Sequence, residues 1–441
     1  MKAEILTIGD ELLRGEIVDS NKSFLSERLL RLDVETHFHT SVRDDPSDMG
    51  DAFRRAARRS DVVLVSGGLG PTRDDLTVEV LADTFGRKLA LDEPSLQALR
   101  AFFERFGREM ARSNEKQAWF PEGAEILPNP VGTAPGCMLQ EGGAVFFCMP
   151  GVPRELYEMM DEQVMPRISA RTRRAGGGVV RATLLRTFGI GESSLEDELS
   201  DLAREDGVSL GFRTAFPDNY LRPVACGDTA AEAEARLERL VEAIRDRLGA
   251  MIYGTGEEGL EQVVVALLQE RKQTIAVAES CTGGLLGERI TSVPGASRVF
   301  QGGVVAYANA AKKSLLGVPE ELLAAHGAVS EPVAHAMASG ARERFGADLA
   351  VSTTGISGPT GGSEEKPVGL VFIGFASESG VEAGEFVFPL DRARHRTVTS
   401  QLALDWVRRS LLGEPRIAPR YLVKPPKSAV ASSGSGSGAG Q

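Results

Sequence analysis

Cysteine is scarce in this chain. Its 441 residues include four, Cys137, Cys148, Cys226 and Cys281, and no two stand at C-x-x-C spacing. So sparse a set supports no disulfide framework, and free thiols in a reducing compartment are expected. Also missing is any run of about eighteen apolar residues, the length a membrane-spanning helix needs. The opening Met1–Ile8 lacks the basic region and long apolar stretch of a signal peptide and predicts a buried strand. A cytoplasmic protein without a membrane partner is therefore expected. Positive charge is in deficit too, with 50 Lys+Arg against 62 Asp+Glu and a formal charge of -12. That field repels a phosphate backbone, so direct nucleic-acid binding is not expected. The local basic run Arg54, Arg55, Arg58 and Arg59 falls on a predicted amphipathic helix and reads as a solvated face.

What is present suits a multidomain enzyme. The length exceeds what one core usually organises, and 42% hydrophobic with 25% charged residues is an ordinary globular balance. Between residues 1 and 170, β-rich runs (Ala3–Ile8, Val34–Val42, Val62–Ser66, Ala144–Met149) alternate with helical periodicity. That βαβ pattern predicts a largely parallel sheet covered on both faces, with ligands received at the carboxyl ends of the strands. Arg171–Gly178 reads as a hinge. It opens a predicted small α+β module over 171–254, with strands at Val179–Thr187, Val208–Phe212 and Tyr220–Cys226 and helices at Ser193–Ala203 and Ala230–Leu248. No cluster of catalytic residue types marks it, and a spacer or dimerisation module is expected. A third unit, 255–415, alternates strand and helix again, with strands at Thr274–Ala278, Val304–Tyr307, Leu349–Thr353 and Leu370–Phe375. The predicted class is α/β: two three-layer domains with largely parallel sheets joined by the α+β module. The Gly/Ser-rich 424–441 is expected to be a flexible tail.

The third unit carries the denser chemistry. Glu279-Ser280-Cys281-Thr282-Gly283-Gly284 links a predicted strand to the helix Leu285–Thr291, which exposes the Ser280 hydroxyl on a turn. Amides at the start of that helix, Thr282 and Gly283 among them, can stabilise an oxyanion or bind phosphate. Taken alone, such residues also read as a helix cap. Cys281 competes with Ser280 as nucleophile, although adjacent residues on a turn point apart. A nucleophile needs a base, and His326, His335 and His395 are scattered without a triad context. A lysine serves if burial or nearby positive charge lowers its pKa. Lys312 and its neighbour Lys313 follow the strand ending at Tyr307. The third loop, Thr353-Thr354-Gly355-Ile356-Ser357-Gly358-Pro359, has the glycine density that lets backbone amides cradle a phosphate or planar ligand.

In the first unit, Gly9-Asp10-Glu11 follows the first strand, and Ser66-Gly67-Gly68-Leu69-Gly70-Pro71-Thr72-Arg73-Asp74-Asp75 follows the third. A glycine turn beside paired carboxylates suits phosphates bridged by a hard divalent cation. Asp74 and Asp75 also read as charges at a helix start. His37 and His39 share one strand face without a third ligand and are read as structural.

Glu279–Gly284, Gly302–Lys312, Gly327–Glu331 and Thr354–Gly369, in this order and spacing, resemble the C-terminal domain of the CinA family, the nicotinamide-nucleotide amidases. The glycine loop after the third strand, with Pro128–Gly136 and Met149–Glu155, resembles that family's N-terminal domain, whose fold is shared with molybdopterin-binding proteins. The resemblance implies Ser280 as nucleophile and Tyr307 as a polar orienter. Its Tyr-x-Asn-x-x-Lys spacing selects Lys312 as base. It implies substrate contacts at Thr282, Gly283, Gly284, Asn309, Thr354, Gly355 and Gly358, and hydrolysis of nicotinamide mononucleotide to nicotinic acid mononucleotide and ammonia without a cofactor. For the N-terminal domain it implies ADP-ribose pyrophosphatase activity, with nucleotide contacts at Gly67, Gly68, Gly70, Thr72 and Gly132. A divalent metal on Asp74, Asp75, Asp10 and Glu11 goes with it, as does a homodimer. Ser357 departs from the family's alanine and adds a hydroxyl near the site. Two other readings stand beside this pyridine-nucleotide salvage enzyme: an amidase with a silent or pterin-binding N-terminal domain, and a non-catalytic competence or DNA-damage accessory protein.

Overall fold

A computed structural model describes residues 1–32, 34–174, 178–416 and 419–420. The expected tail at 424–441 and part of the expected hinge lie outside them. Residues 171–174 of the expected hinge are helical, being the end of α4 (Met165–Arg174). The chain divides into two compact units. The first is Met1–Arg181 with Cys226–Glu234, and the second holds the remaining described residues.

In the first unit, β1 (Lys2–Ile8), β2 (Glu35–Val42), β3 (Val62–Ser66), β4 (Glu125–Leu127), β5 (Gly136–Glu141) and β6 (Ala144–Met149) form one sheet in the order β2-β1-β3-β6-β5-β4. The first four in that order are parallel, β5 runs antiparallel to β6, and β4 runs antiparallel to β5 and so in the direction of the first four. With a single reversed strand the sheet is largely parallel, as the βαβ pattern predicts. Only Gly142-Gly143, both at positive φ, separates β5 from β6. A two-residue connection can make only a hairpin. Alternate residues of β3 serve the two faces. Val63 and Val65 pack with Met49 and Phe53 of α2 (Pro46–Arg59), and Val62 and Leu64 with Leu25 and Leu29 of α1 (Ser20–Leu30). Each such side chain contributes about 1.5–3 kcal/mol by burial. Helix α2 starts where Asp45 accepts from the Ser47 and Asp48 amides and Pro46 occupies the first turn. Of the basic run on α2, Arg54, Arg55 and Arg58 are exposed as expected. Arg59 is not a solvated charge, because it pairs at 2.6 Å with Glu4, which is 0% exposed.

In the second unit, β7 (Leu185–Thr187), β8 (Val208–Ala215), β9 (Asp218–Gly227) and β10 (Ile252–Thr255) lie in the order β8-β9-β7-β10. The strand expected over Val179–Thr187 breaks after Ala182, where the Thr183 amide turns to the Pro223 carbonyl and the Leu184 carbonyl to the Gly256 amide. A second sheet contains β11 (Ile275–Glu279), β12 (Phe300–Val305), β13 (Leu349–Gly355), β14 (Leu370–Ser377) and β15 (Gly380–Val387), in the order β12-β11-β13-β14-β15. β12, β11 and β13 are parallel, and β14 and β15 form an antiparallel hairpin edge. On one face Val277 and Ile373 pack with Val264 of α5 (Leu260–Arg271), Leu286 of α6 (Leu285–Thr291) and Val407 of α9 (Arg392–Leu412). On the other, Ala276, Ala278 and Ala350 pack with Leu316 of α7 (Asn309–Leu316) and Met337 of α8 (Glu331–Phe345). This is the predicted three-layer arrangement, and it leaves the loops after β11, β12 and β13 at one edge.

Candidate active site

Ser280 follows β11 directly, its amide bonded to the Thr353 carbonyl of β13. Ala306 follows β12, its amide bonded to the Glu279 carbonyl. These ladder extensions bring together two loops that are remote in sequence. Lys312 lies one turn into α7 and is 1% exposed, while Ser280 is 8% exposed. The Lys312 Nζ lies 3.1 Å from Ser280 Oγ, 2.8 Å from the Ala306 carbonyl oxygen and 3.2 Å from that of Tyr307. Burial lowers the Lys312 pKa from its ordinary value. A neutral amine suits this environment: two N–H groups point to the two carbonyls and the lone pair is left for the Ser280 hydroxyl. Lys313, the competing base, pairs with Glu320 at the surface. Cys281, the competing nucleophile, is buried, and burial pushes its thiol up to about 12, away from thiolate chemistry.

The turn carries a feature the motif reading missed. The buried Glu279 carboxylate accepts from the amides of Gly284, Leu286 and Gly287, at 2.9, 3.0 and 2.8 Å. The sequence reading left the amides at this helix start open for substrate. Gly284 corrects that expectation, because its amide is already bonded to Glu279. The amides of Thr282 and Gly283 are not among those Glu279 takes. Arg396 of α9 clamps the Thr282 carbonyl at 3.1 and 2.7 Å, and the Thr282 and Thr353 hydroxyls meet at 2.7 Å. Arg392 donates to the Gly358 carbonyl at 3.0 Å and to the Tyr307 hydroxyl at 3.1 Å. Tyr307 touches Lys312 through its backbone carbonyl, and the residue is 60% exposed. Asn309 is exposed at the start of α7. Thr354 donates to the Ala328 carbonyl at 2.7 Å, and Gly355 ends β13. Ser357 bonds His395 Nδ1 at 2.9 Å, and the Nε2 of that ring lies 3.1 Å from the Gly369 carbonyl. The hydroxyl that Ser357 adds is therefore bonded to His395 of α9, and His395 is structural. The arginines left a trace in the sequence: 391–396 puts three of them in the first turns of α9, where a helix macrodipole disfavours cations unless they are used.

At the first unit's sheet edge, Gly67 and Gly68 take φ of 109° and 66°. Thr77, which opens α3 (Thr77–Thr84), returns its hydroxyl to the Gly67 carbonyl. The 112–118 segment holds the loop from outside, with Lys116 on the Thr72 and Asp75 carbonyls and Gln117 on the Leu69 carbonyl. Asn21 joins Ser66 to the Gly151 carbonyl. Gly132 is used structurally: its amide bonds Asn129, and a Cβ there would meet Glu155 at 2.1 Å. Lys116, Gln117 and Asn21 carried no signal in the sequence, while Asn129 and Glu155 stand in the two motifs that resemble the family's N-terminal domain without a role having been assigned to them. Two of the four expected metal ligands, Asp10 and Asp75, are bonded to neighbouring groups. Asp10 is bonded by Arg14 and Arg43, and Arg43 holds its carboxyl below the ordinary value. Asp75 accepts from the Thr72 amide and hydroxyl at 2.8 and 2.6 Å. Asp44 sits among these acids, and burial followed by the charges of Glu11, Asp10 and Asp74 raises its carboxyl. Among the described residues no three His, Cys, Asp or Glu side chains are arranged to hold a metal ion. The residues as placed do not make a ready metal site.

Fold and site together define a mixed α/β chain with a buried serine–lysine pair at the carboxyl edge of a parallel sheet core. Residues 257–411 match the CinA C-terminal domain, 182–254 the damage-inducible protein CinA KH domain and 4–170 the probable molybdopterin binding domain. A CinA-like protein of Anaeromyxobacter sp. (strain Fw109-5) is 46% identical over 415 residues, 93% of this chain and 99% of that protein. One from Dictyoglomus thermophilum is 44% identical over 413 residues, 93% of this chain and 100% of that protein. A putative competence-damage inducible protein of Caldicellulosiruptor bescii is 43% identical over 414 residues, 93% of this chain and 100% of that protein. The chain belongs to the CinA family. Among the described residues no helix is long and apolar enough to cross a membrane.

Proposed function

We propose that the second unit hydrolyses the carboxamide of nicotinamide mononucleotide, with Ser280 as nucleophile and Lys312 as base. The observation that carries the reading is the 3.1 Å approach of a buried, pKa-lowered Lys312 to Ser280. The Ser280 oxygen bonds to the carboxamide carbon as its proton passes to Lys312. The resulting ammonium returns that proton to the departing nitrogen, and ammonia leaves an acyl-serine. Water then attacks the ester, Lys312 takes its proton and returns it to Ser280, and nicotinic acid mononucleotide is released. A scaffold needs no such buried pair, which weighs against a purely accessory role. Ammonia release by wild type, Ser280→Ala and Cys281→Ala, with folding checked by circular dichroism, decides it. Loss confined to Ser280→Ala is expected, whereas loss confined to Cys281→Ala makes this a thiol enzyme.

For the first unit, the glycine loop braced by Lys116 and Gln117 supports cleavage of ADP-ribose at its pyrophosphate, giving AMP and ribose 5-phosphate. No step is routed through a metal, since among the described residues no three His, Cys, Asp or Glu side chains are arranged to hold one. The match to a molybdopterin-binding domain favours a second reading, in which this unit binds a pterin. Release of AMP from ADP-ribose, measured with and without a chelator, separates the two. A homodimer, as the family resemblance implies, is checked by light scattering.

A further inference from the structure

Away from the serine–lysine pair, the second unit buries another connected set of polar groups. Asp218 opens β9 and is 8% exposed. Its two carboxylate oxygens accept from Tyr253 Oη at 2.7 Å and Gln401 Nε2 at 2.6 Å. The other end of the Gln401 amide accepts from Arg289 at 2.5 Å, and Arg289 also donates to Glu261 at 2.7 Å and Ser400 at 3.0 Å. Arg289 lies on α6, the helix entered through the Ser280 turn. Gln401 lies on α9, whose Arg396 clamps the Thr282 carbonyl. The chain Asp218–Gln401–Arg289 therefore ends on both elements that fix the nucleophile. A cavity of about 160 Å³ adjoins it, lined by Arg186, Asp218, Tyr253, Glu261, Arg289 and Gln401. It has room and polar partners for water, and so for proton exchange.

We propose that Asp218 is a positioning residue for the amidase site, which in its ionised form holds the Ser280 turn through Gln401 and Arg289. This rests on the amidase reading of the Ser280–Lys312 pair. The groups facing the carboxylate are Tyr253 of β10, Gln401 of α9, Arg289 of α6, Arg186 of β7 and Glu261 of α5. Burial pushes the Asp218 carboxyl up to about 6, against the hydrogen bonds from Tyr253 and Gln401 and the charges of Arg289 and Arg186. The Tyr253 phenol is raised above its ordinary value by burial and by Asp218, so it remains a donor across the working range. Below about pH 6 one Asp218 oxygen gains a proton and faces the Gln401 NH2 or the phenol as donor against donor. The brace then loosens.

Two readouts test this in the full chain. The first is the amidase kcat and KM from pH 5 to 8 for wild type, Asp218→Asn and Gln401→Leu, the last breaking the same bridge from its other side. The second is hydrogen–deuterium exchange of the 280–291 amides at pH 7.5. At neutral pH both variants are expected to lose roughly 3- to 30-fold in kcat with KM little changed, and to exchange faster over 280–291. The logarithm of the wild-type kcat is expected to steepen by one proton below about pH 6, and that of Asp218→Asn is not. Folded variants with wild-type kcat, pH profile and exchange overturn the proposal. If the wild type releases no ammonia while exchange still responds to both substitutions, the amidase reading falls and the brace stands.

Discussion

Lys312 is costly to bury and kept buried. A lysine whose folded pKa lies below its ordinary value holds fewer protons folded than unfolded across that interval, so its contribution to stability rises with pH through it. Lys312→Met is expected to flatten that slope in urea titrations at several pH values, while ammonia release falls roughly 10²- to 10⁴-fold. A folded variant with normal turnover sinks the dyad. Tyr307 offers the contrasting case. Its carbonyl meets Lys312 and its phenol meets Arg392, so Tyr307→Phe is expected to keep activity within about tenfold, since one hydrogen bond is worth only about 1 kcal/mol. A loss as deep as that of the lysine variant would put the phenol in the chemistry.

At the scale of elements, the base is placed by how closely α7 rests on α8. A Cβ at Gly340 would stand 1.9 Å from the Leu316 carbonyl oxygen at the end of α7. Gly340→Ala must therefore shift a helix backbone, costing about 1–3 kcal/mol and moving Lys312 off Ser280. Amidase activity is expected to drop in this variant even where the fold survives by circular dichroism. In the first unit, β1 and α2 are tied by Glu4 and Arg59. Burial alone would raise the Glu4 carboxyl, but the bonds from Arg59 and Thr40 hold it below its ordinary value. That contribution is present above the unfolded pKa and lost as pH falls through the folded one. Arg59→Ala strands the carboxylate and is expected to cost about 3 kcal/mol at neutral pH, and less in acid. Urea unfolding read from Trp119, which lies in the first unit, measures it.

For the whole molecule, the two proposed activities use residues from different units. Ser280→Ala is expected to leave ADP-ribose hydrolysis intact and Asp75→Ala to leave amide hydrolysis intact, each assayed with both substrates. Asp75 holds the Thr72 end of the glycine loop, so its loss is expected to impair the first unit whether or not a metal takes part. Unchanged ADP-ribose turnover in Asp75→Ala removes that residue from the site.

Sequence by itself determined the central strands of the parallel cores, because burial on both faces writes continuous apolar runs such as Val62–Ser66 and Ala144–Met149. It also determined which loops carry chemistry, because serine, lysine and glycine at strand ends are legible one segment at a time. Only tertiary structure decided what holds those groups in place. Glu279 reads as the first residue of a turn, with no role of its own, until its carboxylate is seen across three amides. Arg396, Gln401 and Asp218 lie more than a hundred and sixty positions apart at their extremes, and no local pattern links them. Arg59 looked like one more exposed cation until the sheet placed Glu4 beneath it. The hairpin edge went unread because the outer strand Gly380–Val387 is half exposed and writes no continuous apolar run, unlike its partner Leu370–Ser377. A hydrogen bond between remote residues is a property of the packed chain, and period and composition record only what each segment buries.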